Sequence, residues 1–301
     1  MKYVYYFTTA VVVLCGYLLQ QWPSDVLDIV FCDVGQGDAI VFSYQSTQVL
    51  VDGGRDEKVL TCLGKNLPFW DKKLEVVVAT HPDADHIGGL TSVFEQYSSN
   101  LIITNGAEKQ TTDFSDFKSS VSRKSQAKTT VLQLHQGDSL SIGHDITVSV
   151  LSPQELLSQN TDTQNSSTET QLWDKQPKSN SLDITSNNGS IVLLVEYKKY
   201  SMLLTGDLES EGELALLHHG LVTDVDILKV GHHGSKSSTS QPFLRKVRPE
   251  VSVISSGKNN AYHHPAPEIV QLLSQYHSQI YRTDEQGTLH FRTDGEKIWL
   301  Y

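Results

Sequence analysis

The chain has 301 residues, a formal net charge of −11 and a hydrophobic content of 38%. This length allows one large domain or two small ones, and the acidic balance argues against a general-purpose nucleic-acid binder. Charge is uneven, however, because six basic residues and one acid lie between Lys229 and Lys258, and such a stretch suits an anionic substrate.

Residues 1–24 predict a signal peptide or a single N-terminal membrane anchor. Lys2 precedes an uncharged stretch, residues 3–24, whose centre at 11–19 is strongly apolar. No small-x-small cleavage site is clear, so an uncleaved anchor is favoured over a cleaved signal. The alternative, a buried strand, is disfavoured by the length of the stretch. With Lys2 on the cytoplasmic side, the rest of the chain is expected outside the cytoplasm.

A globular domain is predicted over residues 25–301. Its first half predicts strands at 27–32, 39–42, 48–51, 74–79, 101–104, 129–134, 138–142 and 146–151, and helices at 56–67 and from 88 to about 97. Residues 152–188 are rich in Ser, Thr, Gln and Asn and predict a long polar insertion. A tolerated loop is favoured there over a lid above the site. A Cys32–Cys62 bridge is possible, but nothing in the sequence selects it.

The second half predicts strands at 190–197, 200–205, 226–230, 251–254, 279–282, 287–292 and 297–301, and helices at 209–219, 239–247 and 266–276. In both halves, strands first pair as meanders and then alternate with helices. This pattern predicts an α/β fold in which two mixed sheets pack face to face with helices outside, an αβ/βα four-layer sandwich.

One short stretch, residues 80–89, gathers potential metal ligands. His81, Asp83, Asp85 and His86 lie within six residues at the end of an apolar strand. Close carboxylates repel each other unless a cation lies between them, so the motif favours a metal site over an acidic surface turn.

Further candidate ligands follow three later strands. They are Asp207, the pair His232 and His233, and the pair His263 and His264. Ligands placed on loops at one edge of a sheet converge, and this inventory is too large for one four-coordinate ion. It indicates two divalent ions that share a carboxylate. Imidazole and carboxylate ligands without thiolate suit Zn²⁺, Mn²⁺ or iron, and we expect Zn²⁺ or Mn²⁺.

The motif at residues 81–86 resembles the His-x-His-x-Asp-His signature of the metallo-β-lactamase superfamily, with Asp83 in place of the second histidine. Five further motifs extend the likeness: residues 33–38 (DVGQGD), 52–54 (DGG), 204–207 (LTGD), 231–235 (GHHGS) and 262–265 (YHHP). Together they resemble the C-terminal domain of ComEC-type DNA-internalisation competence proteins over residues 27–293. Related secreted phosphodiesterases, including phosphorylcholine esterase, are similar.

This resemblance implies roles for particular residues. One metal ion would be held by His81, Asp83 and His233, a second by Asp85, His86 and His264, and Asp207 would bridge them. Asp85 and Asp207 are the candidate catalytic carboxylates. The candidate supporting residues are Asp52, which would orient the histidine loop, Asp38 and His232. The candidate substrate-binding residues are Lys236, Lys258 and Asn188.

The resemblance also implies hydrolysis by metal-activated water, with a nearby lysine offsetting charge on phosphoryl oxygens. We expect a phosphodiesterase or nuclease that acts on DNA outside the cytoplasm in competence-type uptake. The alternatives are a phosphodiesterase on a small substrate such as a phosphocholine headgroup, and a non-catalytic metal-binding accessory domain. ComEC-type proteins carry a polytopic channel domain, whereas this chain has at most one membrane segment. It would therefore work beside a separate membrane channel protein or as a stand-alone relative.

Overall fold

The computed structural model describes residues 2–20, 25–154 and 187–301. Helix α1 (Lys2–Gln20) comes first, and no helix of these three ranges is both long and apolar enough to cross a membrane. The anchor or signal at 1–24 stays a prediction. The polar insertion predicted at 152–188 lies outside the described residues except at its ends.

The first sheet comprises strands from both ends of the domain: β1 (Leu27–Phe31), β2 (Ile40–Tyr44), β3 (Thr47–Val51), β4 (Lys73–Ala79), β5 (Ser98–Thr104), β6 (Thr130–Gln133), β14 (Leu289–Thr293) and β15 (Ile298–Leu300). Their order is β15-β14-β1-β2-β3-β4-β5-β6. Pairing is antiparallel from β15 to β3 and parallel from β3 to β6. The carboxyl ends of β3, β4 and β5 therefore lie at one edge.

The second sheet is built from β7 (Ser139–Ile142), β8 (Ile146–Ser152), β9 (Val192–Tyr197), β10 (Tyr200–Leu204), β11 (Ile227–Lys229), β12 (Val251–Ile254) and β13 (Gln279–Arg282). Their order is β13-β12-β11-β10-β9-β8-β7. The four strands from β10 to β13 are parallel, so the loops after β10, β11 and β12 also meet at one edge.

The two sheets pack face to face around an apolar core. This core combines Phe31 and Phe42 of the first sheet with Leu193 and Leu204 of the second. Helices α2 (Lys58–Asn66), α3 (Ala84–Ile87), α4 (Leu90–Gln96) and α5 (Thr112–Gln126) cover the outer face of the first sheet. Helices α6 (Ser210–His218), α7 (Gln241–Val247) and α8 (Pro267–Gln275) cover that of the second, and the short α9 (Thr283–Gln286) follows β13. The predicted αβ/βα four-layer sandwich is confirmed.

Helix α5 was not predicted, because its sequence is mostly polar. Its buried residues Phe114, Phe117 and Val121 recur at intervals of three and four, which places them on one face. Each contributes roughly 1.5–3 kcal/mol by leaving water, and the Thr111 side chain accepts a hydrogen bond from the Phe114 N–H at the helix start. Tertiary burial of a narrow apolar stripe thus stabilises the helix.

Close backbone approach brings the loop after β1 against the α3 turn. A Cβ atom on Gly37 would lie 2.1 Å from the Asp85 carbonyl oxygen, so only glycine fits there. The Asp38 N–H donates to that same carbonyl at 3.2 Å. This contact helps to place the Asp38 side chain beside Lys229, the last residue of β11.

Candidate metal centre

Three histidines and one aspartate form a buried cluster where the two sheet edges meet. His81, His86, His233 and Asp207 are each at most 3% exposed. Asp207 Oδ1 lies 3.3 Å from His86 Nε2, and Asp207 Oδ2 lies 3.3 Å from His233 Nε2 and 3.9 Å from His81 Nε2. Asp207 therefore contacts all three imidazoles through both of its oxygens.

Asp52 fixes the loop that carries His81 and His86. It follows β3 with a φ of 60°, a left-handed conformation that aspartate tolerates better than most residues. Its carboxylate accepts hydrogen bonds from the Thr80 N–H at 2.8 Å and the Thr80 hydroxyl at 2.7 Å, and it lies 2.7 Å from His86 Nδ1. Because a carboxylate only accepts, His86 carries a proton on Nδ1 and directs Nε2 at Asp207.

His233 is held from the second sheet. Its Nδ1 donates to the Ser255 carbonyl at 2.9 Å and lies 3.5 Å from Asp38 Oδ1. Asp38 Oδ2 in turn lies 2.5 Å from Lys229 Nζ. Ser190 completes the support, because its hydroxyl accepts from the Asp207 N–H at 3.1 Å and lies 3.4 Å from His81 Nδ1.

Burial and neighbouring charges shift the pKa values of the cluster in opposite directions. Burial, followed by the positive charge of His86, lowers the pKa of His81 to about 3. Burial is the largest influence on His86 and His233 and opposes their charge, but the neighbouring carboxylates, Asp207 foremost, together outweigh it and raise the pKa of both histidines well above the ordinary value. Burial likewise opposes charge on Asp207, yet His233 and His86 hold its pKa well below the usual range. His81 is therefore neutral with a free lone pair, and Asp207 is ionised.

The donor atoms of this cluster fit a divalent metal ion. His81 Nε2, His86 Nε2, His233 Nε2 and Asp207 Oδ1 are buried without a hydrogen-bond partner. Leaving one such atom unpaired costs about 1–3 kcal/mol. A divalent ion would satisfy several of these atoms at once, because metal binding displaces the protons from its ligands. Nitrogen and oxygen donors of this kind suit Zn²⁺ or Mn²⁺.

The described residues offer four overlapping ligand groups around Asp207 and His86. The groups are His81 with His86 and Asp207, Asp85 with His86 and His233, Asp38 with Asp52 and His86, and Asp38 with Asp207 and His233. The ligand atoms of each group lie within 4.8 Å of one another. The structure thus places His233 with Asp85 and His86, whereas the resemblance implied that it would join His81 and Asp83. Its Nε2 lies 3.5 Å from Asp85 Oδ2.

Asp83 and His264, both predicted ligands, lie outside these groups in the part of the chain that the structure describes. The Asp83 carboxylate pairs with Lys109 Nζ at 2.7 Å. The His264 ring lies 5.7 Å from the His232 ring, centroid to centroid, and stacks on Tyr262 at 5.9 Å. His232 remains close to the cluster, with Nε2 at 3.9 Å from Asp207 Oδ2.

The predicted substrate-binding residues have other partners or face solvent. Lys236 is exposed and pairs with Glu268 at 2.7 Å, and Lys258 is exposed. The Asn188 side chain accepts from the Glu209 N–H at 3.1 Å and so supports the turn after Asp207. None of these contacts directs a side chain into the cluster.

Sequence reasoning missed Lys109, and it counted Lys229 only in a basic stretch that suits an anionic substrate. Both side chains approach the predicted ligands, and Lys229 is fully buried. Lys109 lies in a polar loop after β5 and carries no recognisable motif. Lys229 ends β11 and lies inside the otherwise apolar run Ile227-Leu228-Lys229-Val230. A lysine inside a buried strand was the available signal, because lysine is almost never fully buried unless it is paired.

Comparisons with known proteins agree with this geometry. A family model described as the metallo-beta-lactamase superfamily matches residues 32–258. The structure of Igni18, a metallo hydrolase from Ignicoccus hospitalis, is similar with a TM-score of 0.52 at 13% identity, over 88% of this chain and 98% of that one. At that identity the likeness supports the fold alone.

Two curated relatives are similar to this chain over part of their length, and the name of one describes it as a competence protein. ComE operon protein 3 of Bacillus subtilis is 32% identical over 279 residues, which are 86% of this chain and 32% of that protein. Competence protein ComA of Neisseria gonorrhoeae is 39% identical over 110 residues, 36% of this chain and 16% of that protein. This chain thus spans a third or less of the length of either relative. The family model covers most of the domain, and the chain therefore belongs to the metallo-beta-lactamase superfamily, as its histidine and aspartate motifs predicted.

Proposed function

We propose that this chain is a metal-dependent phosphodiesterase that cleaves DNA outside the cytoplasm during competence-type DNA uptake. The observation that carries the proposal is the convergence of three buried, unpartnered imidazole nitrogens on Asp207. The family supports the broader class, a metal-dependent hydrolase. The relatives' names support the substrate, because one of them is a competence protein.

Each residue of the cluster has a role in this proposal. His81, His86, His233 and Asp85 would hold two divalent ions, with Asp207 shared between them. Bound divalent ions at such a site activate water and offset charge on a phosphoryl group.

Asp52 keeps the His86 Nδ1 proton in place, so that Nε2 faces Asp207. His232, with a quarter of its side chain exposed, and Lys109, with 39% exposed, lie on the solvent side. There they can receive an anionic substrate.

The proposed location outside the cytoplasm has independent support from a disulfide bond. The sulfur atoms of Cys32 and Cys62 are bonded to each other. Such bonds persist in oxidising compartments and are rare in the cytosol. We further propose that the apolar segment at 1–24 holds the chain at the membrane and that a membrane channel protein is its partner.

The full chain, loaded with Mn²⁺ or Zn²⁺, tests this proposal on single-stranded DNA, double-stranded DNA and bis(p-nitrophenyl) phosphate. We expect cleavage of DNA, and we expect Asp207→Ala to abolish both metal binding and cleavage. Asp226→Ala is the matched control, because the Asp226 carboxylate accepts from the Ser201 N–H rather than from the cluster. Cleavage of the small ester alone would instead support a small-phosphodiester hydrolase. A metal-loaded chain that is inactive on all three would support an accessory domain.

A further inference from the structure

One fully buried lysine lies directly beneath the candidate metal centre. Lys229 is 0% exposed and is the only lysine buried among the residues that the structure describes. Its Nζ lies 2.5 Å from Asp38 Oδ2, donates to the Gly206 carbonyl at 3.2 Å and lies 4.0 Å from Asp207 Oδ1. An ammonium is costly to bury unless it is paired, so Lys229 and Asp38 depend on each other.

Asp38 lies where it could bind a metal ion, but its Oδ2 atom already contacts Lys229. Its carboxylate forms a potential ligand group with Asp207 and His233, and a second one with Asp52 and His86. Asp38 Oδ1 is buried without a hydrogen-bond partner, while Oδ2 contacts Lys229. Without the ammonium, the Oδ2 atom of Asp38 would lose its contact and would be available to a metal ion.

Lys229 also lowers the net negative charge of the candidate metal centre. Four carboxylates surround the imidazoles, those of Asp38, Asp52, Asp85 and Asp207. Lys229 offsets one of these four charges from inside the protein. The net negative charge that the site presents to divalent ions is therefore one unit smaller than its four carboxylates alone would give.

We propose that Lys229 is a built-in cation of the metal centre, which occupies Asp38 and so keeps this carboxylate from binding a third metal ion. The proposal rests on the metal centre of the proposed function and is independent of its substrate. Lys229 here is a positioning residue, since it acts through Asp38 and does not contact the reacting atoms.

A purely structural role for the pair predicts different behaviour. Asp38 belongs to the first sheet's loop and Lys229 to β11 of the second sheet, so their contact also joins the two halves of the fold. Loss of a structural contact would lower stability in every variant. It would leave the number of bound metal ions unchanged, and removal of the second partner would not restore the metal affinity.

The test measures metal content and metal affinity rather than catalysis. Equilibrium dialysis of the full chain against buffered Mn²⁺ or Zn²⁺, followed by elemental analysis, is applied to Lys229→Met, Asp38→Asn and the double variant. Lys199→Met is the control, because Lys199 forms an exposed ion pair with Glu296 at 2.8 Å.

We expect Lys229→Met to bind an additional metal ion, or to bind metal about tenfold more tightly, because a unit charge acts strongly on a divalent ion through a buried site. Asp38→Asn leaves the ammonium uncompensated and should bind metal about tenfold more weakly. The double variant restores the wild-type charge and should return to within about threefold of the wild-type affinity.

Two results would overturn the proposal. One is an unchanged metal content and affinity in Lys229→Met. The other is a double variant that binds metal as weakly as Asp38→Asn. If Lys229→Met does not fold, the comparison of Asp38→Asn with the double variant decides, because the double variant contains no unpaired charge from this pair. Because none of these readouts uses a substrate, a failure to cleave DNA would not affect them.

Discussion

The Asp52→Asn variant tests how the fold prepares His86 for a metal ion. Asparagine keeps the shape of the side chain and tolerates the φ of 60° at this position. Its amide replaces one accepting oxygen by an NH₂ group, which only donates. If that group faces His86 Nδ1, now 2.7 Å from Asp52 Oδ2, the ring must move its proton to Nε2. The nitrogen that faces Asp207 then has no lone pair for a metal ion.

The size of the effect follows from this one contact. A hydrogen bond to a charged partner contributes about 1.5–3 kcal/mol, so the free energy of unfolding of the metal-free chain should fall by that amount. Loss of the group that orients a ligating histidine typically costs about 10–100-fold in metal affinity. The backbone N–H of Thr80 can still donate to the remaining oxygen, which limits the damage to the loop.

Chelator competition measures the metal affinity, and urea denaturation measures the stability. Asp226→Asn is the matched control, since Asp226 accepts from the Ser201 N–H at 2.7 Å and its variant should keep the wild-type metal affinity. Wild-type metal affinity in Asp52→Asn, together with a normal response of the control, would refute the role of Asp52 in orienting His86.

Two further predictions concern stability. Replacing both Cys32 and Cys62 by alanine should cost about 3–4 kcal/mol in the chain-entropy model, because the bond closes a loop over a sequence separation of 30; a loss below about 1 kcal/mol in guanidinium denaturation would contradict it. Burial raises the pKa of Glu213 above 4.5, although its carboxylate accepts from the Thr239 and Ser240 N–H groups. The folded state therefore binds the Glu213 proton more tightly than the unfolded state, and stability is lost as the pH rises through the folded pKa. Relative to Glu213→Gln, the wild type should gain stability as the pH falls from 7 towards 4.5. Thermal unfolding of both proteins measures this difference, and a wild type that loses stability relative to the variant over that range would contradict the prediction.

Local patterns were sufficient for most of the architecture. Apolar runs of strand length and the turn motifs that follow them predicted the sheets, because these features depend on residues close in sequence. Helix α5 shows the limit of such patterns. Phe114, Phe117 and Val121 are few among polar residues, so the sequence alone does not indicate a buried helix face. Their burial against the first sheet shows that they form one.

The chemical types of the candidate ligands were also evident in the sequence. His81, Asp85 and His86 fall on one turn, and Asp207 and His233 lie on the loops that follow two later strands. Which of them share a group was not predictable, since it depends on how the two sheets stack. That stacking brings His233 to Asp85, 3.5 Å away.

The sequence by itself determined the fold family, the kinds of ligand and the strand ends that carry them. Only the tertiary structure decided the partners of the charged groups: Lys109 for Asp83, and Lys229 for Asp38. The physical reason is that an ion pair forms wherever burial makes an unpaired charge costly. Burial between two sheets is a property of the packed chain that no local pattern records.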